Sequence, residues 1–254
     1  MSELLLRMQN LVIEADIDGQ WKSIVNGLSL NLHKGEIIGL IGESGAGKST
    51  FGLAAMGYTK PGCRIVSGSI QLDSEELVNA APSRLREIRG NTVSYVAQSA
   101  AAAFNPAHRL IDQFAESPVQ HGKLRSDEAA QRGRELYRQL DLPDPEHIGE
   151  RFPHQVSGGQ LQRAMTAMAM GCDPRLIVFD EPTTALDVTT QIEVLSTIKE
   201  AVRARGVAAI YITHDLAVVA QLADRIMVLR YGDLIEEGEA RELLRNPQQE
   251  YTRR

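Results

Sequence analysis

Two cysteines in 254 residues, Cys63 and Cys172, are too few and too far apart for a disulfide framework, and neither sits in a C-x-x-C or Cys/His spacing that would hold zinc. That usage suits a reducing cytosol. Positive charge is not in excess either. With 27 Lys and Arg against 33 Asp and Glu, a formal net charge of -6, the chain generates no global field for a polyanion, which argues against nucleic acid as a partner. Long apolar runs are also missing. The longest, around Ile37-Ile38-Gly39-Leu40-Ile41 and Leu176-Ile177-Val178-Phe179, fall far short of the roughly 18 residues a membrane span needs. The start of the chain has no basic segment followed by an apolar one, so it does not read as a signal peptide. Any membrane contact is therefore expected to pass through a partner. No internal repeat or low-complexity tract stands out.

What is present is the patterning of an α/β protein. A chain of 254 residues can form one large domain, since single cores stop growing at roughly 250 to 300 residues. Short β-like runs bounded by glycine and charge fall at residues 4–13, 24–32, 36–41, 69–73, 93–97, 176–180, 208–213 and 225–230. The early runs follow one another closely and the later ones alternate with helical sequence, which predicts an antiparallel β element leading into a parallel α/β core. Residues 176–179 and 208–213 are continuously apolar or β-branched, as strands buried on both faces should be. Between them a helix is expected over 189–205, with Val188, Ile192, Leu195 and Val202 near one face and an end at Gly206. From residue 105 to about 151 strand signals vanish, and polar helical sequence punctuated by Pro143, Pro145 and Pro153 takes over. The expected organisation is one domain. Its core is residues 1–98 and 172–254, including the antiparallel β part, and residues 99–171 form an inserted, mostly helical subdomain.

Gly42-Glu43-Ser44-Gly45-Ala46-Gly47-Lys48-Ser49 fills every fixed position of G-x-x-x-x-G-K-[ST] between an apolar strand and the helical stretch beginning at Thr50. In such a loop backbone N–H groups wrap phosphates, Lys48 reaches the terminal phosphates and the Ser49 hydroxyl is offered to magnesium. Asp180 ends an apolar strand, where its carboxylate emerges at the ligand-binding edge of an α/β sheet and suits a metal. Glu181 follows it and can hold or deprotonate an attacking water. His214, after run 208–213, can reach a γ-phosphate or orient that water, with Asp215 behind it as a helix cap. Gln98, after run 93–97, is a third strand-end candidate for the metal or its water. The bland alternative for each carboxylate is a helix cap; the complete phosphate loop makes the functional reading the better one.

Val156-Ser157-Gly158-Gly159-Gln160 opens a helix whose Leu161, Ala164, Met165, Met168 and Ala169 share one face, most simply as core packing. Its N-terminus, with glycine amides and the Ser157 hydroxyl, suits an anion. An N-cap serine alone would explain Ser157 but gives no reason for two glycines, which cost helix propensity there.

Taken in order and spacing, these residues resemble an ATP-binding cassette (ABC) ATPase with a P-loop NTPase core: Walker A at residues 42–50, Q-loop at Gln98, signature at Ser157 to Gln160, Walker B at Leu176 to Asp180, catalytic Glu181, D-loop at Ala185-Leu186-Asp187 and switch His214. The resemblance implies ATP and Mg2+ as ligands, with Lys48, Glu181 and His214 catalytic. It implies nucleotide contacts from Gly42 through Thr50, Gln98, Ser157 through Gln160 and Asp187, and metal contacts from Ser49, Gln98 and Asp180. It also implies two such domains head to tail, each ATP held between the Walker A of one and the signature of the other, driving two membrane permeases from the cytoplasmic face of the inner membrane. Gly42-Glu43-Ser44-Gly45, Phe104-Asn105-Pro106, Phe152-Pro153-His154-Gln155, the run from Thr184 to Thr189, and Asn246-Pro247 with Tyr251-Thr252-Arg253 are similar to oligopeptide, dipeptide and nickel importers. An extracytoplasmic solute-binding protein would then act upstream.

The pattern departs from the family at three places. The aromatic that stacks on adenine is expected near Ala15, and Trp21, several residues away, is the nearest candidate. Ser99-Ala100 stands where peptide importers commonly carry Asp-Pro. The chain ends at Arg254, where relatives continue into an extension, which leaves a shortened form or one half of a longer chain as the expectation. Nickel or another solute is the alternative cargo. A non-transport ABC ATPase of DNA repair or translation, and a degenerate cassette that only scaffolds, are the rival readings. The short span from Gln98 to Ser157 speaks against the first, and intact Glu181 and His214 against the second.

Overall fold

The computed structural model describes residues 3–183 and 186–253. In chain order the elements are β1 (Leu4–Ile17), β2 (Gln20–His33), β3 (Ile37–Ile41), α1 (Lys48–Ala54), β4 (Cys63–Leu72), β5 (Glu75–Glu76), α2 (Pro82–Ile88), β6 (Val93–Val96), α3 (Ala100–Ala103), α4 (Leu110–Gln120), α5 (Ser126–Gln139), α6 (Gly158–Met170), β7 (Leu176–Asp180), α7 (Val188–Ala204), β8 (Ala208–Thr213), α8 (Leu216–Leu222), β9 (Arg225–Arg230), β10 (Asp233–Glu239) and α9 (Ala240–Arg245). The chain divides into two compact units, residues 1–86 with 208–254, and residues 87–207.

The first unit holds an antiparallel sheet in the order β2-β1-β4-β5 and a second group of strands in the order β10-β9-β3-β8. β3 is parallel to both β8 and β9, and every residue of β3 and β8 is buried, as continuous apolar strands require. Ile41 pairs with Thr213, so the loops that follow β3 and β8 leave from the same edge.

The β1–β2 hairpin runs further than expected. Strand pairing continues to Ile17↔Gln20 because Asp18 and Gly19 both take positive φ, 54° and 76°, the backbone of a tight two-residue turn that matches strand twist. Its outer rungs carry Glu14, Asp16 and Lys22 and are solvated, so no apolar alternation marked them. β4 likewise begins at Cys63 rather than at residue 69, its first half pairing with β1 through Glu14↔Arg64 and Ala15↔Cys63. β10 was not expected at all. It is a polar edge strand, Asp-Leu-Ile-Glu-Glu-Gly-Glu, joined to β9 by Tyr231-Gly232 at positive φ, and its partner supplies the hydrogen bonds that its composition does not advertise.

In the second unit β6 and β7 are parallel, in the register Val93↔Leu176 to Val96↔Phe179. α4 and α5 pack through an edge-to-face pair, Phe114 on Tyr137, with ring centroids 6.0 Å apart; burial pushes the Tyr137 phenol well above its ordinary pKa. α6 buries Leu161, Ala164, Met165 and Ala169 as core. The expected apolar face of α7 needs correction. Val188 and Ile192 are 73% and 49% exposed, while Val194, Leu195, Ile198, Ala201 and Val202 are buried. The start of α6 meets α7 at Thr190 and Val194, and at 100° per residue positions 188 and 192 then point nearly opposite that contact.

Candidate functional site

The phosphate loop of the first unit starts where β3 ends. Gly42 has φ 149°, and a Cβ there would lie 2.1 Å from the Leu229 carbonyl oxygen, so only glycine lets the chain leave the strand in this direction. Gly47 caps α1 with no side-chain acceptor for the first-turn amides. Lys48 is 5% exposed, and its Nζ donates to the carbonyls of Gly42 at 2.7 Å and Glu43 at 2.9 Å. Glu43, Ser44 and Gly45 are exposed; Ala46 is buried; Gly47, Ser49 and Thr50 are half-buried. The Glu43 amide donates to the Tyr251 hydroxyl at 3.3 Å, a tie from the C-terminal Tyr-Thr-Arg segment that sequence reasoning noted without a role.

His214 stands exposed just past β8. The turn that carries it is fixed on both sides. Thr213 Oγ1 accepts from the Asp215 amide at 3.0 Å, and Asp215 caps α8 by accepting from Ala217 and Val218. Trp21, on the β1–β2 hairpin, is 44% exposed and carries the Arg64 guanidinium 3.9 Å over its ring, so one face of the indole is occupied within the chain.

In the second unit β7 delivers the carboxylates. Asp180 is 6% exposed and accepts a hydrogen bond from the Tyr95 hydroxyl at 2.9 Å. Glu181 follows in left-handed backbone, φ 47°, uncommon for a glutamate, and Gln98 Nε2 donates to its Oε2 at 3.3 Å. Donors from β6 and the residues just after it therefore engage both acids. Gln98 was expected at the metal or its water; its amide nitrogen engages the glutamate. Tyr95 was not singled out from the sequence, and only its register against β7 could have found it.

Ser157 caps α6 as expected. Its Oγ accepts from the Gln160 amide at 3.3 Å while Gln160 Oε1 accepts from the Ser157 amide at 3.0 Å, a reciprocal capping box. The two glycines have different reasons. A Cβ on Gly159 would come 2.5 Å from Thr190 Cγ2, so packing of α6 on α7 requires that glycine. A Cβ on Gly158 would make an ordinary 3.5 Å contact with Leu186 Cδ2. Packing thus supplies a reason for glycine at 159 that sequence reasoning lacked, and none for glycine at 158. Asp187 caps α7 through the Thr190 amide at 3.1 Å, and the Thr190 side chain beside it holds its carboxyl below the ordinary range. Ala185 of the expected D-loop, and Thr184 of the run similar to peptide importers, lie outside the described residues.

A family model described as ABC transporter matches residues 25–184. The oligopeptide transport ATP-binding protein OppD of Lactococcus lactis subsp. lactis is 38% identical over 252 residues, 99% of this chain and 75% of that protein. The chain belongs to the ABC transporter family. Its cassette is also similar to the dipeptide transport ATP-binding protein DppD of Bacillus subtilis, 37% identical over 99% of this chain and 75% of that one. The probable D,D-dipeptide transport ATP-binding protein DdpD of Escherichia coli is 39% identical over 90% and 70%. The ABC fold is seen as well in MJ0796, an ATP-binding cassette solved as a dimer in a post-hydrolysis state bound to ADP and Pi. It matches with TM-score 0.82 at 24% identity, over 93% of this chain and 99% of that one. The chain is an ABC ATPase, and among its described residues no helix is long and apolar enough to cross a membrane.

Proposed function

We propose that this chain is the ATP-hydrolysing subunit that energises import of peptides or a related small solute through partner membrane permeases. The observation that carries the hydrolytic part is the acid pair at the end of β7, where Asp180 accepts from Tyr95 and Glu181 from Gln98. A degenerate cassette has no use for two acids so held. The peptide part rests on relatives named for oligopeptide and dipeptide transport at 37–38% identity over 99% of the chain.

In this reading the loop from Gly42 to Thr50 binds the phosphates of ATP. Lys48 leaves the Gly42 and Glu43 carbonyls for the terminal phosphates, since a ligand phosphate is the stronger acceptor for an ammonium. Glu181 accepts the proton of the attacking water, and His214 orients that water or the γ-phosphate. Ser157, Gly158, Gly159 and Gln160, with Asp187, serve the nucleotide held by a second cassette, identical or related, in a head-to-tail dimer. Residues 99–171 act as the subdomain that carries this signature.

The donors available for magnesium fit it. Ser49 hydroxyl, Asp180 carboxylate and Gln98 amide oxygen are hard oxygen ligands, and among the described residues no cluster of three or more Asp, Glu, His or Cys would make an all-protein cage. Magnesium characteristically takes one or two protein ligands and completes its shell with water and substrate phosphate. When bound it would neutralise phosphate charge. Trp21, 44% exposed, is the nearest aromatic candidate for adenine. The subunit works at the cytoplasmic face of the inner membrane, held by the permeases.

Glu181→Gln tests the assignment. With ATP the variant is expected to accumulate as a stable dimer in light scattering, with turnover lower by about 10²-fold or more. A monomer at saturating ATP, or wild-type turnover, would refute Glu181 as the base. Reconstitution with candidate permease subunits, followed by peptide-stimulated ATPase, tests the cargo; stimulation by nickel and not by peptides would reassign it.

A further inference from the structure

We propose that Tyr95 is a positioning residue for the metal-binding carboxylate of Asp180, an inference that rests on the ATPase reading above. The register of β6 against β7 makes the contact possible. Tyr95 pairs with Val178, and side chains alternate along a strand, so Tyr95, Val178 and Asp180 share one face. Tyr95 and Asp180 are then diagonal neighbours two residues out of step, about 7–8 Å apart at the backbone. A phenol spans that gap and ends in a donor; the hydroxyl sits 2.9 Å from Asp180 Oδ2.

Charge explains why a phenol suits this place. Asp180 is 6% exposed, and a carboxylate withdrawn from water needs donors. A lysine or arginine could supply them, but its positive charge would neutralise the acid and repel a divalent cation. Tyrosine donates while staying neutral. It engages Oδ2, fixes the rotation of the carboxylate, and leaves the acid its full charge toward the metal. Packing alone does not account for the residue, because Tyr95 is only half-buried and lines a cavity with Ser94, Glu116, Ser117 and Gln120. Phenylalanine would satisfy the same contacts without the hydroxyl.

The test uses the full chain, a non-hydrolysable ATP analogue and Mn2+, whose free concentration is read by electron paramagnetic resonance. Tyr95→Phe is expected to raise the Mn2+ concentration for half-saturation about 10-fold, the effect of losing one hydrogen bond to a charged group, with affinity for the metal-free nucleotide unchanged. In an Asp180→Asn background the same substitution is expected to change nothing further. Half-saturation equal to wild type in Tyr95→Phe overturns the proposal. So does an equal loss in the Asn background, which would mean that the ring acts through packing. If the wild-type chain shows no metal-dependent nucleotide binding, the ATPase reading falls, and this inference with it; that outcome is visible before any variant is made.

Discussion

Adjacent glycines in the signature should respond differently to a single methyl group. In Gly159→Ala the new Cβ meets Thr190 Cγ2 at 2.5 Å, about 1 Å inside ordinary contact. The methyl cannot swing aside freely, since Thr190 is β-branched within α7 and its side chain is hydrogen-bonded to Asp187. Overpacking of this kind costs about 1–3 kcal/mol, and replacing a helical glycine returns at most about 1 kcal/mol. The net loss should be about 1–2 kcal/mol, a fall in Tm of roughly 2–4 °C for each kcal/mol in a chain of this size. Gly158→Ala, with only a 3.5 Å contact to Leu186, should leave Tm within about 1 °C of wild type. Thermal denaturation without nucleotide measures both. Thr190→Ser removes the offending methyl and keeps the hydroxyl, so the Gly159→Ala, Thr190→Ser double variant should recover most of the loss. If Gly159→Ala is as stable as wild type, or the serine gives no rescue, the packing account of Gly159 is wrong. Turnover makes the complement: Gly158→Ala should impair ATP hydrolysis in the assembled transporter despite its intact fold.

Other consequences can be read from single contacts. Lys48→Met should abolish ATP binding in equilibrium dialysis and cost about 1–3 kcal/mol in urea unfolding, because the Gly42 and Glu43 carbonyls lose a charged donor. Asp187 has its folded pKa depressed by Thr190, so its contribution to stability is complete above the ordinary aspartate range and disappears as pH falls through the depressed value. Asp187→Asn caps α7 without titrating; the gap between wild-type and variant urea midpoints should therefore narrow on acidification, and a constant gap would contradict the cap. Cys172 is buried, which raises its thiol pKa, while Cys63 is partly exposed. Mass spectrometry after brief alkylation at neutral pH should find Cys63 modified and Cys172 spared; equal labelling would mean that the α6–β7 turn opens readily.

The sequence by itself determined the chemistry that is contiguous. The phosphate loop, the acid pair and the signature are short runs recognised by spacing along the chain, so reading them needs no knowledge of distant neighbours. Buried strands were equally plain, because β3, β7 as far as Phe179, and β8 are continuously apolar or β-branched apart from Gly39. Helix caps at Ser157 and Asp215 followed from residue type and position. Tertiary structure decided whatever depends on register and approach. It set Tyr95 against Asp180 through the pairing of β6 with β7, demanded Gly159 through the closeness of α6 to α7, and turned Val188 and Ile192 outward. It also made a strand of the acidic segment β10, whose hydrogen bonds come from a neighbour rather than from its own residues. Local pattern fixes what a segment offers; the distances between segments arise only when the chain packs.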